Sequence, residues 1–387
     1  MASQLTAALA AALTARDASG LTRTRRTVVS AQGTHVVVEN RRLLSFASND
    51  YLGLANDPAV VAAARAAATN WGVGAGASPL VCGHCTPHEA LEHELAAFVA
   101  PCANARALTF SSGYLANLAI VATLAGAGDT VFADRLNHAS LNDGMLLSRA
   151  RFVRYTDIVA LRRRLATSAG RRKLIATDAV FSMDGDLAPL PGLLELAEKH
   201  DAWLLIDDAH GFGVLGEGRG SLAHFGLASE RIVYMGTLGK AAGVAGAFVA
   251  AHPTVIETLL QNARPYIYTT AAPAMLACAL RASLGIIRDE PLRCAHLHRL
   301  IERFRTGARA LPWTLLPSET AIQPLLVGGN DAAVALAEAL FGRGFWVPAI
   351  RPPTVPPGTA RLRISLSAAH GEDDVDALLR ALHELAR

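Results

Sequence analysis

The sequence predicts an α/β protein in which a large, mostly parallel β-sheet is covered by helices and followed by a smaller C-terminal α+β domain. Three observations favour this fold class. Short apolar runs alternate with helical stretches through the middle of the chain, polar or glycine-rich residues follow those runs, and the alternation changes near Pro291. Apolar strands that alternate with helices are typical of a parallel sheet buried on both faces.

Each predicted element has its own signal in the sequence. Leu5, Leu9 and Leu13 recur at helical spacing and predict an amphipathic helix near the start of the chain. Two stretches between strands predict helices, GYLANLAIVATLAGAG and LPGLLELAEKH. The apolar runs that predict the strands of the large sheet are RALTFSS, DTVFAD, KLIATDAVF, AWLLIDDAH, RIVYMGTL and GAFVAAH.

The last third of the chain predicts a separate, smaller unit. A long helix is expected to leave the sheet after PAMLACALRASLGIIRDEP, and the later runs AIQPLLVGG, GFWVPAI and ARLRISLS predict a small α+β domain. We therefore expect three parts: an N-terminal helix and arm at residues 1–45, a large α/β domain at 46–288 and a small α+β domain at 289–387.

Composition limits the class of protein. A chain of 387 residues with 51% hydrophobic and 18% charged residues can bury a large core, which argues against disorder. A net charge of +3 is too small to indicate nucleic-acid binding. Five cysteines, an odd number, do not suggest a disulfide framework, and the longest uncharged run contains polar residues that do not suit a membrane span. These features favour a cytoplasmic protein that binds no membrane.

Polar residues at the predicted strand ends form the candidate site. In an open parallel sheet, ligands bind outside the carboxyl ends of the strands. The candidates at these ends are Ser112, Gly113, Tyr114, His138, Asp207, Asp208, His210, Thr237 and Lys240.

Lys240 is the central candidate because it is the one charged residue in GTLGKAAGVAGAF, residues 236–248. A buried ammonium without a partner is costly, so a lysine in such a stretch has reason to react as an amine. An aldehyde is the matching reactant, and pyridoxal 5′-phosphate (PLP) carries one. A carboxylate such as Asp207 can keep the pyridine nitrogen of PLP protonated, and His210 can bind its phenolic oxygen.

The remaining candidates suit the rest of the same cofactor. A helix that begins at Gly113 and Tyr114 presents free backbone N–H groups to a phosphate, and the hydroxyl of Thr237 can join them. The imidazole of His138 can stack on the pyridine ring. The sequence therefore predicts a PLP site at this edge of the sheet, with no metal.

Four motifs add a family resemblance to this prediction. They are SNDYLGL (48–54), FSMDGDLAPL (181–190), IDDAHGFGVLG (206–216) and GTLGKAAG (236–243). They resemble the motifs of the α-oxoamine synthases, which are fold-type I PLP enzymes that condense an amino acid with an acyl thioester. The resemblance runs from about residue 20 to the C-terminus and implies the fold-type I PLP-transferase fold.

Carried over motif by motif, the resemblance implies a role for each candidate. Lys240 forms the Schiff base, Asp207 and His210 contact the ring, and Arg363 in RLRIS holds the amino acid carboxylate. Other residues implied around the cofactor are His138, Gly113, Tyr114, Ser182 and Thr237. Residues implied or expected near the substrates are Arg23, Asn49, His138, Arg351 and Thr354.

Two C-terminal stretches narrow the expected substrates. AIQPLLVGGN (321–330) and AIRPPTVPPGTARLRISLSAAH (349–370) are most similar to the family member that condenses L-alanine with a pimeloyl thioester in biotin biosynthesis. The acyl carrier is coenzyme A or an acyl carrier protein. In YIYTTAAP, the resemblance implies that Thr270 reaches the phosphate bound by the partner subunit, and so it implies a homodimer.

Three alternatives stay open at this point. CGHC (82–85) is a dithiol motif found in thiol–disulfide oxidoreductases, followed by a possible capping box in TPHE. A sister reaction would join glycine to a short acyl-CoA. An aminotransferase on the same fold is a third possibility.

Overall fold

The computed structural model describes residues 3–19 and 21–387. In this part of the chain, helices and strands alternate over most of the length. The helices are α1 (Gln4–Ala18), α2 (Pro58–Trp71), α3 (Thr86–Val99), α4 (Gly113–Leu124), α5 (Ala139–Ser148), α6 (Ile158–Ala166), α7 (Leu190–Lys199), α8 (Ser221–Phe225), α9 (Pro253–Asn262), α10 (Arg264–Ile267), α11 (Ala274–Asp289), α12 (Pro291–Ala308), α13 (Asn330–Gly342) and α14 (Glu372–Leu385). A turn of π-helix covers Pro79–Gly83.

The strands fall into three sheets. Their bounds are β1 (His35–Val38), β2 (Arg41–Ser45), β3 (Arg106–Phe110), β4 (Thr130–Asp134), β5 (Arg151–Tyr155), β6 (Lys173–Asp178), β7 (Ala202–Asp207), β8 (Ile232–Thr237), β9 (Ala247–Ala251), β10 (Thr314–Leu315), β11 (Ile322–Gly328), β12 (Phe345–Trp346), β13 (Ala349–Ile350) and β14 (Ala360–Ser365). The large sheet has the order β3-β9-β8-β7-β6-β4-β5. Its central pairs are parallel, and β9 runs antiparallel to both of its neighbours.

The large sheet is buried on both faces. Successive residues of a strand point to opposite faces. Leu204 and Ile206 of β7 accordingly belong to one apolar cluster, whereas Leu205 between them belongs to another that includes side chains of α4 and α5. This double burial explains why the central strands are almost continuously apolar, and it leaves the strand ends as the place for polar residues.

Two small sheets lie outside the large one. The order β10-β11-β14-β13 is antiparallel throughout and carries the C-terminal part of the chain. The third sheet joins β1 and β2 to β12, which pairs in parallel with β2. The N-terminal arm is thereby attached to the C-terminal region.

The predicted fold class is confirmed, with two differences in detail. The six strands predicted for the large sheet are present, but β5 was not expected, because it lies at the sheet edge and is mostly exposed. The predicted long helix near Pro291 is two helices, α11 and α12, separated at Glu290. The domain boundaries stay a prediction.

The N-terminal helix forms as predicted, but its apolar face is uncovered in the single chain. Leu5, Leu9 and Leu13 are exposed, and no described residue of α1 is buried. Over the described ranges, no helix is both long and apolar enough to cross a bilayer.

Candidate active site

The ends of neighbouring strands gather the predicted residues into one cavity. β6 ends at Asp178, β7 at Asp207 and β8 at Thr237, and in the parallel register Asp178 lies opposite Asp207. A cavity of about 170 Å³ opens at this edge of the sheet. Its lining residues are Gly113, Tyr114, Asn117, His138, Ser140, Asp178, Val180, Ser182, Asp207, Ala209, His210, Met235, Thr237 and Lys240.

Lys240 lies in the glycine-rich turn between β8 and β9. Gly243 in this turn has φ +70°, and an added Cβ would lie 2.5 Å from the backbone of Leu54 and Ala55, so only glycine fits there. The turn therefore packs directly on the chain after β2. This contact fixes Lys240 at the wall of the cavity.

The Lys240 amine is held in a setting that favours its neutral form. Lys240 Nζ lies 2.8 Å from His210 Nε2 and forms no ion pair within residues 3–19 and 21–387. Removal from water lowers the pKa of Lys240 to about 8, although Asp207 and Asp178 act in the opposite direction. A lysine of this kind is suited to react as an amine near neutral pH.

Asp207 is fixed by donors from two elements. Its Oδ2 accepts from Asn117 Nδ2 on α4 at 2.6 Å, and its Oδ1 accepts from the backbone N–H of Ala209 at 3.0 Å. Asn117 Nδ2 also lies 2.9 Å from Ser140 Oγ, which lies 2.7 Å from His138 Nδ1. A continuous polar network thus joins the end of β7 to the start of α5.

His138 is held by its backbone as well as by its ring. It is the N-cap of α5, and its backbone N–H donates to Asp178 Oδ1 at 3.2 Å. Burial raises the pKa of Asp178 well above its usual range, with the charge of Asp207 as the second cause. Burial lowers the pKa of His138, so its ring is neutral at neutral pH. The Tyr114 ring meets the His138 ring edge-on, with centroids 6.3 Å apart.

The start of α4, where a phosphate cradle is predicted, lies at the smaller cavity. The Ser112 side chain caps the helix by accepting from the backbone N–H of Leu115, which leaves the first N–H groups of the helix without helical partners. A Cβ built on Gly113 would find its nearest atoms in Met235 and Thr237 at 3.7–4.0 Å. These distances are ordinary van der Waals contacts, and Gly113, Met235 and Thr237 together line the smaller cavity.

A second, larger cavity opens from the first. It has a volume of about 650 Å³ and shares His138, Ser182, His210 and Lys240 with the smaller one. Its other lining residues are Asn49, Leu136, Asn137, Ala139, Asn142, Met183, Pro348, Ile350, Pro353, Thr354 and Arg363.

Arg363 is a buried cation in this second cavity. Its guanidinium donates to Ser182 O at 2.7 Å, to Ser365 Oγ at 2.8 Å and to Asn49 Oδ1 at 3.1 Å. It has no carboxylate partner in the described ranges, whereas the neighbouring Arg361 is paired with Asp184. A buried guanidinium without an anion is suited to bind a carboxylate ligand.

Three predicted residues lie apart from the two connected cavities. Thr270 is exposed and lines a separate cavity of about 30 Å³ beside Thr109 and His88. Arg351 lines another cavity of about 230 Å³ together with Arg26, next to the larger of the connected pair. Arg23 is exposed and belongs to the lining of neither connected cavity.

The dithiol segment CGHC (82–85) also lies outside the two connected cavities. Cys82 is exposed and Cys85 half-buried, and both are free thiols. The predicted capping box is wrong in its register, because α3 is capped by Cys85 rather than by Thr86, and His88 Nδ1 accepts from the backbone N–H of Cys85. The segment leads into a helix on the large sheet and not into a thioredoxin-like unit, so the redox alternative is not favoured.

Sequence reasoning missed three residues that the structure places at the site. Asp178 could have been found, because it follows a predicted strand in the same way as Asp207. Asn117 had a weaker signal, as a polar residue inside an apolar helix. Tyr51 belongs to a quoted motif, but its contacts with His210 and Asn49 depend on long-range folding.

The residues of the smaller cavity fit PLP by their chemistry. Asn117 and Ala209 orient Asp207, which is an acceptor suited to a protonated pyridine nitrogen. The helix start at Gly113, which lines this cavity, offers N–H donors suited to a phosphate. Lys240 supplies an amine whose lowered pKa suits reaction with an aldehyde.

Comparison with known proteins defines the class first. Residues 41–382 match the family described as aminotransferase class I and II. A variant of serine palmitoyltransferase from S. paucimobilis, solved with a bound PLP–myriocin aldimine, superposes with a TM-score of 0.91 at 29% identity. That alignment covers 99% of this chain and 98% of the other.

A narrower group follows from two further proteins. The 8-amino-7-oxononanoate synthase of Herminiimonas arsenicoxydans is 58% identical over 378 residues, which cover 96% of this chain and 97% of the relative. The crystal structure of 8-amino-7-oxononanoate synthase from Francisella tularensis has a TM-score of 0.76 at 31% identity, covering 89% of this chain and 97% of that chain. The chain therefore belongs to the class I and II aminotransferase family and, within it, to the 8-amino-7-oxononanoate synthases. The resemblance expected from the sequence motifs is confirmed.

Proposed function

We propose that the chain is a PLP-dependent acyltransferase that condenses L-alanine with a pimeloyl thioester. The products are 8-amino-7-oxononanoate, CO2 and the free thiol carrier, a step of biotin biosynthesis. One observation carries the proposal: a lysine with a lowered pKa and an oriented carboxylate share a cavity that opens into a larger one containing an unpaired buried arginine.

The cofactor supplies one piece of chemistry that the side chains lack. When bound, PLP accepts the electron pair that is left as bonds at the amino acid Cα break. Asp207 would keep the pyridine nitrogen protonated, His210 would bind the phenolic oxygen, and His138 would cover the ring. The backbone N–H groups at Gly113 and Tyr114, together with Thr237 and Ser182, hold the phosphate end and the edge of the ring.

Lys240 has two tasks in this proposal. Its amine would hold the aldehyde end of the cofactor in the resting enzyme, and as a free neutral amine Lys240 Nζ would take up the proton from the alanine Cα. General-base catalysis needs a neutral amine. With a pKa of about 8, about a tenth of Lys240 is neutral at pH 7, far more than for an ordinary lysine.

In the larger cavity, we assign Arg363 to one substrate and Thr354 to the other. Arg363, oriented by Asn49 and Ser182, binds the carboxylate of L-alanine. Thr354 lines the same cavity together with Ile350 and Pro353, and in this proposal it contacts the acyl chain. Arg351 and Arg23 lie outside this cavity, so we place them toward the carrier end of the thioester.

We also propose a homodimer in which Thr270 completes the phosphate site of the partner subunit. The segments 76–88 and 267–272 are joined by Ser78 Oγ to Ile267 O at 3.3 Å and by Ala271 N to Ala77 O at 3.0 Å. Exposed apolar side chains surround this junction, and such a patch is typical of an interface. They are Trp71, Val73, Leu80, Val81 and Tyr268.

A substrate screen tests the proposed reaction. The purified protein with PLP is given L-alanine or glycine together with pimeloyl-CoA or acetyl-CoA, and the ketone product is identified by mass spectrometry while thiol release is followed. We expect kcat/KM for L-alanine with pimeloyl-CoA to exceed that of the other pairs by at least about tenfold. Lys240→Ala is the inactive control.

Two outcomes decide against the proposal. A preference for glycine with acetyl-CoA would assign the sister reaction. Amino-group transfer without thiol release would assign an aminotransferase. A parallel arm with pimeloyl-acyl carrier protein distinguishes the two carriers, both of which belong to a cytoplasmic reaction.

A further inference from the structure

Tyr51 lies in a hydrogen-bond chain that leads to Lys240, and the proposed function gives it no task. Its side chain is fully buried. Its hydroxyl oxygen lies 3.1 Å from Asn49 Oδ1 and 2.7 Å from His210 Nδ1. It also accepts from Arg363 Nη2 at 3.5 Å, which uses one of its two lone pairs and leaves the other for His210. His210 Nε2 in turn lies 2.8 Å from Lys240 Nζ. The chain therefore runs from Asn49 through Tyr51 and His210 to Lys240.

The number of protons in this chain is limited. Burial raises the pKa of Tyr51, so the phenol keeps its single proton at neutral pH. Burial, together with the charges of Lys240 and Arg363, lowers the pKa of His210 well below its usual range, so the imidazole is neutral. A neutral imidazole carries one proton, on either Nδ1 or Nε2.

Two arrangements of these protons are possible. In the first, Tyr51 donates to Asn49, His210 donates from Nδ1 to the Tyr51 oxygen, and His210 Nε2 accepts from Lys240. In the second, Tyr51 donates to His210 Nδ1, and the proton of His210 lies on Nε2. His210 then acts as a donor toward Lys240 or any group in its place.

The charge of Lys240 selects between the arrangements. An ammonium has no lone pair, so it can only donate to His210 Nε2, and this requires the first arrangement. A neutral amine, or a cofactor oxygen facing His210, can accept and so permits the second. Because Asn49 and His210 both lie within hydrogen-bond distance, the Tyr51 proton can serve either arrangement.

We propose that Tyr51 is a positioning residue that sets the tautomer of His210, and thereby whether the imidazole accepts from or donates to the group that faces it. Asn49 is the second acceptor that makes the exchange possible. The inference deepens the proposed function, since it explains how one histidine can serve both a lysine ammonium and a phenolic oxygen.

The test is a titration of Lys240 in the full chain freed of cofactor. An amine-reactive reagent is applied over a pH series, and mass spectrometry follows the labelling of Lys240, one of three lysines in the chain. The charged or titratable groups that face Lys240 are His210, His138, Asp207, Asp178 and Arg363, and all are retained in Tyr51→Phe.

We expect Tyr51→Phe to lower the pKa of Lys240 by about one unit, which gives about tenfold faster labelling at pH values below both pKa values. The physical reason is that His210 Nδ1–H loses its buried acceptor, so the tautomer that accepts from the ammonium is no longer favoured. Tyr155→Phe is the matched control. It removes another buried tyrosine hydroxyl, one that forms no hydrogen bond to His210, Asn49 or Lys240, and should leave the titration unchanged.

Asn49→Ala tests whether Tyr51 acts through its hydroxyl proton or only by filling space in the core. Without Asn49, the Tyr51 proton goes to His210 Nδ1, so the pKa of Lys240 should fall and the ¹⁵N shifts of the His210 ring should become those of the Nε2–H tautomer. The ring shifts exclude an effect that comes from Arg363 alone, whose guanidinium also donates to Asn49 Oδ1 at 3.1 Å. Wild-type titration in Tyr51→Phe, or in Asn49→Ala, would overturn the inference. The titration uses neither PLP nor substrate, so failure of the proposed reaction would appear separately in the substrate screen.

Discussion

Lys240 and Arg363 are two cations withdrawn from water on the wall of the same pair of cavities. Neither forms an ion pair within the described ranges. An unpaired cation in such a place is unfavourable to folding, and each has a partner in the proposed reaction: an aldehyde for Lys240 and a carboxylate for Arg363. At the scale of single residues, the site therefore gives up stability for reactivity.

Because the buried charge of Lys240 destabilises the fold, we predict that a neutral residue at this position raises the free energy of unfolding. The pKa of Lys240 is about 8 in the folded chain and about 10.5 when unfolded. Between these pH values the unfolded chain binds more protons than the folded chain, so the free energy of unfolding of the wild type rises with pH. Below about pH 8, Lys240 is charged in both states, and burying its charge destabilises the folded chain in full. We expect Lys240→Met to stabilise the cofactor-free protein by about 1–3 kcal/mol at pH 7.

Urea unfolding at pH 7 and pH 10 measures this effect, taken as the difference between variant and wild type. The gain should shrink toward pH 10, because the wild-type amine is then neutral in the folded state. Lys199→Met, on the exposed side of α7, is the control and should give no gain that depends on pH. A gain equal at both pH values would show that packing, not charge, is responsible.

A second prediction for a single residue concerns Asp207. Asp207→Asn keeps the shape but cannot hold the pyridine nitrogen protonated, so removal of the alanine Cα proton should slow by about 10²–10⁴-fold. Exchange of that proton in deuterated water is the measurement. Asp208→Asn is the matched control, because Asp208 Oδ2 instead accepts from Ser221 N and Tyr234 Oη, away from the cavity. Equal exchange rates in the two variants would remove Asp207 from this role.

Single residues also show how much of the candidate site could be predicted from the sequence. Lys240, Asp207 and His210 follow predicted strands, and the strand-end rule placed them together correctly. Tyr51 and Asn117 could not be assigned in this way, because their roles arise from contacts across 159 and 90 residues of chain. Thr270 came from resemblance alone and Arg351 from its place in a proline-rich loop, and the structure of one chain leaves both outside the connected cavities.

At the scale of elements, the packing of α4 on α5 positions two parts of the site. α4 carries Asn117, and α5 begins after His138. Gly144 allows the close approach, since an added Cβ would lie 3.0 Å from Val121 Cβ and 3.2 Å from Asn117 O. The apolar runs predicted β3 and β4 on either side of α4, but they predicted neither β5 after α5 nor how closely the two helices pack.

Gly144→Ala should therefore destabilise the protein by about 1–3 kcal/mol, because the new methyl group forces α4 and α5 apart. Urea unfolding measures this change. Gly285→Ala is the matched control, a helical glycine in α11 with nothing within 4 Å of an added Cβ. That substitution should be neutral or stabilising by up to about 1 kcal/mol. Stability losses of the same size in both variants would contradict the packing argument.

At the scale of the whole molecule, the single chain has a site that the proposed partner completes. Lys240 and Thr270 line different cavities of one chain, yet both are assigned to one bound cofactor. If Thr270 acts across the interface, two inactive variants can complement each other. Lys240→Ala supplies an intact Thr270, and Thr270→Trp supplies an intact Lys240.

Co-expression of these two variants with different tags tests the shared site. In a two-fold dimer, one of the two sites is then wild-type, so the purified heterodimer should recover about half of the wild-type activity. Each variant alone, purified in the same way, is the control. A heterodimer as inactive as its parents would place Thr270 within its own subunit's site, and an active Thr270→Trp homodimer would place it outside the site altogether.

The most direct test of the account is the covalent position of the cofactor. The purified holoprotein is reduced with borohydride and digested, and the peptide that carries the phosphopyridoxyl group is identified by mass spectrometry. The chain has three lysines, Lys173, Lys199 and Lys240, so the assignment is unambiguous. We expect the label on Lys240 in wild type and no label in Lys240→Ala. A label on Lys173 or Lys199, or none on the wild-type protein, would contradict the account.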